Sequence, residues 1–180
     1  DQRLKLAIGV HPGLSEANRL PVDLLALSPK ELEITFEDNR DRVLDMLNQG
    51  GFHMYILYCH GDRDERNQKF KLVFGPLADE RSISCENLNP LKIEWPEQPK
   101  PLVLLNGCET VAVTPEMVHG LLDRLHELGA SGVVGTEIQI YPNLAYPFGL
   151  AIMERLLGGA SLGEAFLSER KELLRKFNPL

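Results

Sequence analysis

Apolar residues in this chain fall into short continuous runs, each closed by turn-forming or charged residues. Leu4-Lys5-Leu6-Ala7-Ile8-Gly9-Val10 reads as a first strand, ended by His11-Pro12-Gly13. The stretch from Leu14 to Leu27, broken by Pro21, fits either a loop or a short helix. Ser28-Pro29-Lys30-Glu31 has the layout of a helix-starting capping box. Leu32, Ile34 and Phe36, however, alternate with Glu31, Glu33 and Thr35, which is strand period. The alternation predicts a strand here. A helix then starts from Phe36-Glu37-Asp38-Asn39 and runs to Gly50-Gly51, with Val43, Leu44 and Leu47 on its apolar face.

Two further runs end in the same manner. Phe52 to Cys59 is an apolar stretch of strand length that stops at His60-Gly61, and Pro101 to Asn106 stops at Gly107-Cys108. Between them lies Asp62 to Lys69, a dense run of both charge signs that reads as a solvated loop, or alternatively as a flap or a cleavage point. Phe70, Leu72 and Phe74 alternate with Lys69 and Lys71; Gly75-Pro76 turns the chain, and Ile83 and Cys85 would pair back as a hairpin. Leu88 to Lys100 reads as a connector, anchored by Trp95. Thr114-Pro115-Glu116 predicts a helix start, with Met117, Val118, Leu121, Leu122 and Leu125 inward and Gly129 as the stop. Ala130 to Thr136 is a short buried strand, and Asn143 to Leu157 a nearly all-apolar helix closed by Gly158-Gly159. Ser161-Leu162-Gly163-Glu164 caps a last helix whose charged outer face continues to Lys176. Apolar strands alternating with helices predict an α/β layered fold with a largely parallel sheet, in a single domain over residues 1–180.

Composition narrows the function classes. With 43% hydrophobic and 25% charged residues the chain is an ordinary globular one. A net charge of −7 argues against a nucleic-acid partner, which needs clustered Lys and Arg. No apolar run approaches the roughly 18 residues that span a bilayer, so no membrane partner is expected. Three cysteines, Cys59, Cys85 and Cys108, do not form a disulfide framework, and the first residues lack a signal-peptide layout. A reducing, cytoplasmic setting is the expectation.

In that setting a strand-end cysteine is either an inert core residue or a nucleophile. His60 and Cys108 stand 48 residues apart, an interval of one hairpin plus one crossover that would bring both to the same edge of adjacent parallel strands. Ligands bind beyond that edge in α/β sheets. Each has a glycine neighbour, Gly61 and Gly107, which lets the backbone turn sharply. A histidine base beside a cysteine nucleophile suits acyl transfer. The amides of Gly61 and Cys108 would then serve as an oxyanion hole, one donor typically contributing about 3 kcal/mol to the transition state. Either residue alone is more often structural; the pair at matching strand ends is less so.

Other arrangements fit less well. Cys59, beside His60, is expected to turn into the core, and Cys59, His60 and Asp62 lack the ligand spacing of a metal site. His119 and His126 fall on an outer helix face. No Gly-x-Ser-x-Gly elbow, phosphate-binding loop or dinucleotide fingerprint occurs, so no metal or cofactor is expected.

A His-Gly closing one apolar strand and a Cys closing the next resembles the caspase-type cysteine peptidases. More closely, the chain resembles a CHAT domain. The matching pieces are Tyr58-Cys59-His60-Gly61, Leu102 to Thr110, Gly129 to Glu137 and Gly159 to Ala165, within about Leu32 to Leu180. The resemblance implies a caspase-like three-layer sandwich with a mostly parallel central sheet flanked by helices. It also implies a cysteine endopeptidase in which Cys108 attacks a peptide carbonyl, His60 moves the protons, and Gly61 and Cys108 form the oxyanion hole. A protein or peptide is the implied substrate, and an attached sensor or partner protein the implied regulator. The sequence departs from many family members at Ile138-Gln139-Ile140-Tyr141-Pro142, where they carry acids that receive a basic side chain, so no Arg or Lys preference carries over. Family chains usually continue past Asn178-Pro179-Leu180 into another strand, so this chain is expected to be part of a longer protein. Two readings compete with the peptidase: a catalytically silent module that binds an extended peptide, and a thiol hydrolase acting on small molecules.

Overall fold

The computed structural model describes residues 3–14, 16–27, 30–63, 70–75, 82–88, 95–96, 99–107, 120–136 and 141–177. Five parallel strands form its central sheet: β1 (Leu4–Val10), β2 (Leu32–Glu37), β3 (Met54–Tyr58), β7 (Leu102–Asn106) and β8 (Gly132–Val134), in the order β2-β1-β3-β7-β8. Three shorter strands, β4 (His60–Arg63), β5 (Phe70–Val73) and β6 (Ser82–Ser84), make a separate antiparallel sheet. The helices are α1 (Leu20–Leu27), preceded by a 3-10 turn at Ala17–Arg19, α2 (Arg40–Gln49), α3 (Leu121–Glu127), α4 (Pro142–Leu157) and α5 (Leu162–Phe177).

Successive strand residues point to opposite faces, so unbroken burial along β3 means that both faces are covered. Tyr55 and Leu57 join Ala7, Val103 and Leu105 beneath α2 and α3, through Val43, Met46, Leu47, Leu121 and Leu125. Met54, Ile56 and Tyr58 join Leu6, Ile8 and Leu104 beneath α1 and α4, through Leu20, Leu24, Ala145, Tyr146 and Met153. Helix α5 packs on α4. Helix, sheet and helix therefore stack in three layers, the caspase-like sandwich implied by the sequence.

Local chemistry explains the element ends. Asn39 caps α2 by accepting the Asp41 N–H at 3.0 Å, and Gly50 ends it at φ +66°, where a side chain would be strained and would press on Trp95. Trp95 is buried, donates from Nε1 to the Leu47 carbonyl at 2.7 Å and stacks on Tyr55, which is the anchoring expected of it. The capping box also holds: Ser161 Oγ accepts the Glu164 N–H while the Glu164 carboxylate accepts from the Ser161 N–H and hydroxyl. Those bonds hold the Glu164 carboxyl below its ordinary range.

Two segments differ from the sequence expectations. Pro21 does not break the Leu14–Leu27 stretch, because it is the second residue of α1, where a missing N–H costs nothing. Asp62 and Arg63, assigned to a charged loop, belong to β4, since Asp62 lies opposite Lys71 of β5 and pairs with it at 3.3 Å. The rest of that charged run, residues 64–69, lies outside the described residues, as do the predicted start of the helix at Thr114 and the region 137–140.

Candidate active site

The candidate site lies at the C-terminal edge of the central sheet. Strands β3 and β7 are neighbours in parallel register, and their last pair is Tyr58 with Asn106. Past Tyr58 comes Cys59, whose side chain joins the core as expected, and then His60, which opens β4. One continuous stretch thus carries the chain out of the large sheet and into the small one, with His60 at the bend. Gly61 follows on β4, in register with Leu72.

The His60 ring is half-buried and packs against the ring of His11 in a T-shaped contact, centroids 4.7 Å apart and planes at 73°. His11 follows β1 directly and is 8% exposed. Its Nδ1 accepts the Gly13 N–H at 3.0 Å, and its Nε2 lies 2.6 Å from the Gly75 carbonyl oxygen. Burial lowers the His60 pKa below the ordinary imidazole value of 6.5, and a proton on the neighbouring His11 ring would lower it further. His60 is consequently disposed to stay neutral and to accept a proton.

On the neighbouring strand, Asn106 is 9% exposed and donates from Nδ2 to the Ala145 carbonyl of α4 at 3.1 Å. The buried Gly107 offers its carbonyl to the hydroxyl of Thr136, two residues past β8. The backbone leading to Cys108 is therefore held from α4 on one side and from the end of β8 on the other. Cys108 itself lies outside the described residues. His126 is exposed on α3, as expected, and His119 lies outside the described residues. Among the described residues, no cluster of three or more His, Cys, Asp or Glu is arranged to hold a metal ion. Nor is any described helix long and apolar enough to cross a membrane.

Residues 14–179 match the CHAT domain family model. The chain belongs to the CHAT-domain family. A protein of Vitiosangium sp. (strain GDMCC 1.1324) named a probable protease is 38% identical over 152 residues, 79% of this chain. Those residues are 19% of that protein, so the chain spans about a fifth of the length of the curated relative it matches.

His60, Gly61 and Cys108 fall inside the matched stretch of the CHAT domain, whereas β1 and His11 precede it. Two residues beside the site were given no role from the sequence: His11, read only as part of a turn, and Thr136, read as a strand end within the Gly129 to Glu137 piece of the family resemblance. Both follow parallel strands at the same edge as His60. The strand-end rule that selected His60 would have selected His11 once β1 was known to be the neighbour of β3.

Proposed function

We propose that this CHAT domain is a cysteine endopeptidase that uses His60 and Cys108. The observation that carries the reading is the register of β3 and β7. Tyr58 and Asn106 are paired, and in the sequence His60 and Cys108 are each the second residue beyond that pair. Cys108 Sγ attacks the carbonyl carbon of a peptide bond while its proton passes to His60. The imidazolium then protonates the departing amine, leaving a thioacyl enzyme. His60 next takes a proton from water, the hydroxide adds to the thioester, and Cys108 leaves as the thiol. The amide N–H groups of Gly61 and Cys108 receive the negative oxygen of each tetrahedral intermediate, at about 3 kcal/mol per donor. A base kept neutral by burial suits the first step.

The substrate is a protein or extended peptide. That the matched stretch is a minor part of a much longer relative, itself named a probable protease, supports regulation by an attached domain or a partner protein. The net charge of −7 supports a site that binds no nucleic acid directly, and the reading places the protein in the cytoplasm.

The test is labelling with a thiol-directed peptide electrophile, together with cleavage of a diverse peptide library. Labelling and cleavage should vanish in Cys108→Ala and fall steeply in His60→Ala. A folded Cys108→Ala variant that labels as well as the parent would sink the proposal. A parent that cleaves nothing, even with its full-length partners present, would favour a silent peptide-binding module.

A further inference from the structure

We propose that His11 is a positioning residue: it fixes the orientation of the His60 ring at the bend between the two sheets. Its importance to catalysis rests on the reading of His60 as the base, but the contact itself does not.

The hydrogen bonds of His11 define its state. The Gly13 N–H is a donor only, so Nδ1 must present its lone pair. The Gly75 carbonyl is an acceptor only, so Nε2 must carry the proton. His11 is therefore a neutral imidazole in one tautomer. Turning the ring over would put carbon atoms at both partners, and protonating it would cost the Gly13 bond. With both nitrogens engaged and 8% exposure, His11 has no free site with which to exchange protons with a substrate.

Its anchors reach three elements. The His11 backbone N–H donates to the Tyr58 carbonyl at 2.8 Å, extending the pairing of β1 with β3 one step beyond Val10 and Tyr58. The Nε2–H holds Gly75, just past the end of β5, and β5 is the antiparallel partner of the strand that His60 begins. The ring then meets His60 itself. His11 thus ties the small sheet to the large one at the point where the base leaves the large one. Among the described residues no side-chain hydrogen bond or ion pair reaches the His60 ring nitrogens, and the T-shaped contact with His11 is the ring contact those residues make with it. The other titratable groups nearby are occupied elsewhere: Asp62 of β4 pairs with Lys71 of β5, and the Cys59 thiol turns into the core.

A buried, satisfied histidine of purely structural value would behave differently from a positioning one, and three variants separate the two. His11→Phe keeps the aromatic edge and the volume but loses both hydrogen bonds. His11→Gln keeps a donor for Gly75 but loses the ring, and His11→Ala loses everything. Folding is checked by far-UV circular dichroism, and the His60 ring is followed by NMR on protein with labelled imidazoles, which needs no activity. If His11 positions His60, the His60 titration midpoint rises in His11→Ala and His11→Gln and recovers partly in His11→Phe. Over the same series kcat on a cleavable peptide falls on the order of 10- to 100-fold with KM little changed, and recovers in the same order. The idea is overturned if folded His11→Phe and His11→Gln give the parent's His60 titration, or if the titration moves while kcat does not. Should Cys108→Ala show that the parent is no peptidase, the titration series alone decides the His11 contact, so the two proposals fail separately.

Discussion

Gly149 of α4 is the most informative single position for testing how β7, the strand that leads to Cys108, is held. A methyl group there would lie 2.8 Å from Asn106 Nδ2, closer than a carbon and a non-bonded nitrogen settle. The carboxamide has no inexpensive retreat. It is 9% exposed and bonded to the Ala145 carbonyl at 3.1 Å, and the adjoining cavity of about 30 Å³ is lined largely by apolar side chains such as Leu104, Phe148 and Ile152. Helix propensity alone favours Gly149→Ala by about 1 kcal/mol. Overpacking opposes it by about 1–3 kcal/mol, and losing the buried amide's bond by a further 1–3 or so. The net expectation is a destabilisation of about 1–5 kcal/mol, or at least 2–4 °C in melting temperature for a chain of this size. Urea unfolding followed by circular dichroism measures it, and the same substitution in an Asn106→Ala background is the control. There the clash is gone, and Gly149→Ala should be neutral or stabilising. A midpoint for Gly149→Ala at or above the parent's would refute the argument, because it would mean that helix propensity had prevailed over the contact with Asn106.

Two other expectations follow from the same structure. Trp95→Ala should cost about 3–5 kcal/mol in urea unfolding, since it empties a site stacked on Tyr55 and orphans the Leu47 carbonyl; Trp95→Phe should lose far less, and equal losses would contradict the stacking term. In a Cys108→Ala background, where no thiol couples to it, His60 should titrate below 6.5 by NMR. The sign follows from a folded pKa that is depressed. His60 contributes stability that is fully present above the unfolded value and lost as pH falls through the folded one, so the variant in which His60 is replaced by Gln should resist mild acid better. A midpoint at or above 6.5 would refute the burial argument.

Most of the layered fold was legible because burial on both faces leaves a direct trace. Runs such as Met54 to Tyr58 and Leu102 to Asn106 are apolar without alternation, and only a parallel sheet covered by helices asks for that. The capping box at Ser161 and Glu164 was equally readable, being a local hydrogen-bond pattern. Strand β4 was not, since its pairing depends on a partner seven or more residues away and two of its four residues, Asp62 and Arg63, are charged. Within the site, His60 was legible as a strand end, whereas His11 and Thr136 act through sheet order. That order, β2-β1-β3-β7-β8, is a tertiary fact with no local signature.

The division into two sheets has a consequence for the proposed dyad. Asn106 and Gly107, which lead to Cys108, are fastened to the large sheet and its covering helix through Ala145 and Thr136. His60 belongs to the small sheet. If the two side chains react together, aligning them amounts to aligning the two sheets. Among the described residues the junction includes the covalent link through Cys59, the His11 bridge to Gly75 and to the His60 ring, and the hydrogen bond from Arg40 Nε of α2 to the Ser82 carbonyl of β6 at 3.1 Å. Among the described residues the buried apolar side chains of the small sheet are Leu72, Val73 and Ile83; Leu72 and Ile83 share the core beneath α2 with Tyr55 and Leu57. A displacement of about 1 Å at such a junction is enough to cost on the order of 100-fold in rate. On the proposed reading, a regulator acting on this domain need not enter the site, because a change in how β4, β5 and β6 sit on the large sheet would move His60 relative to Cys108.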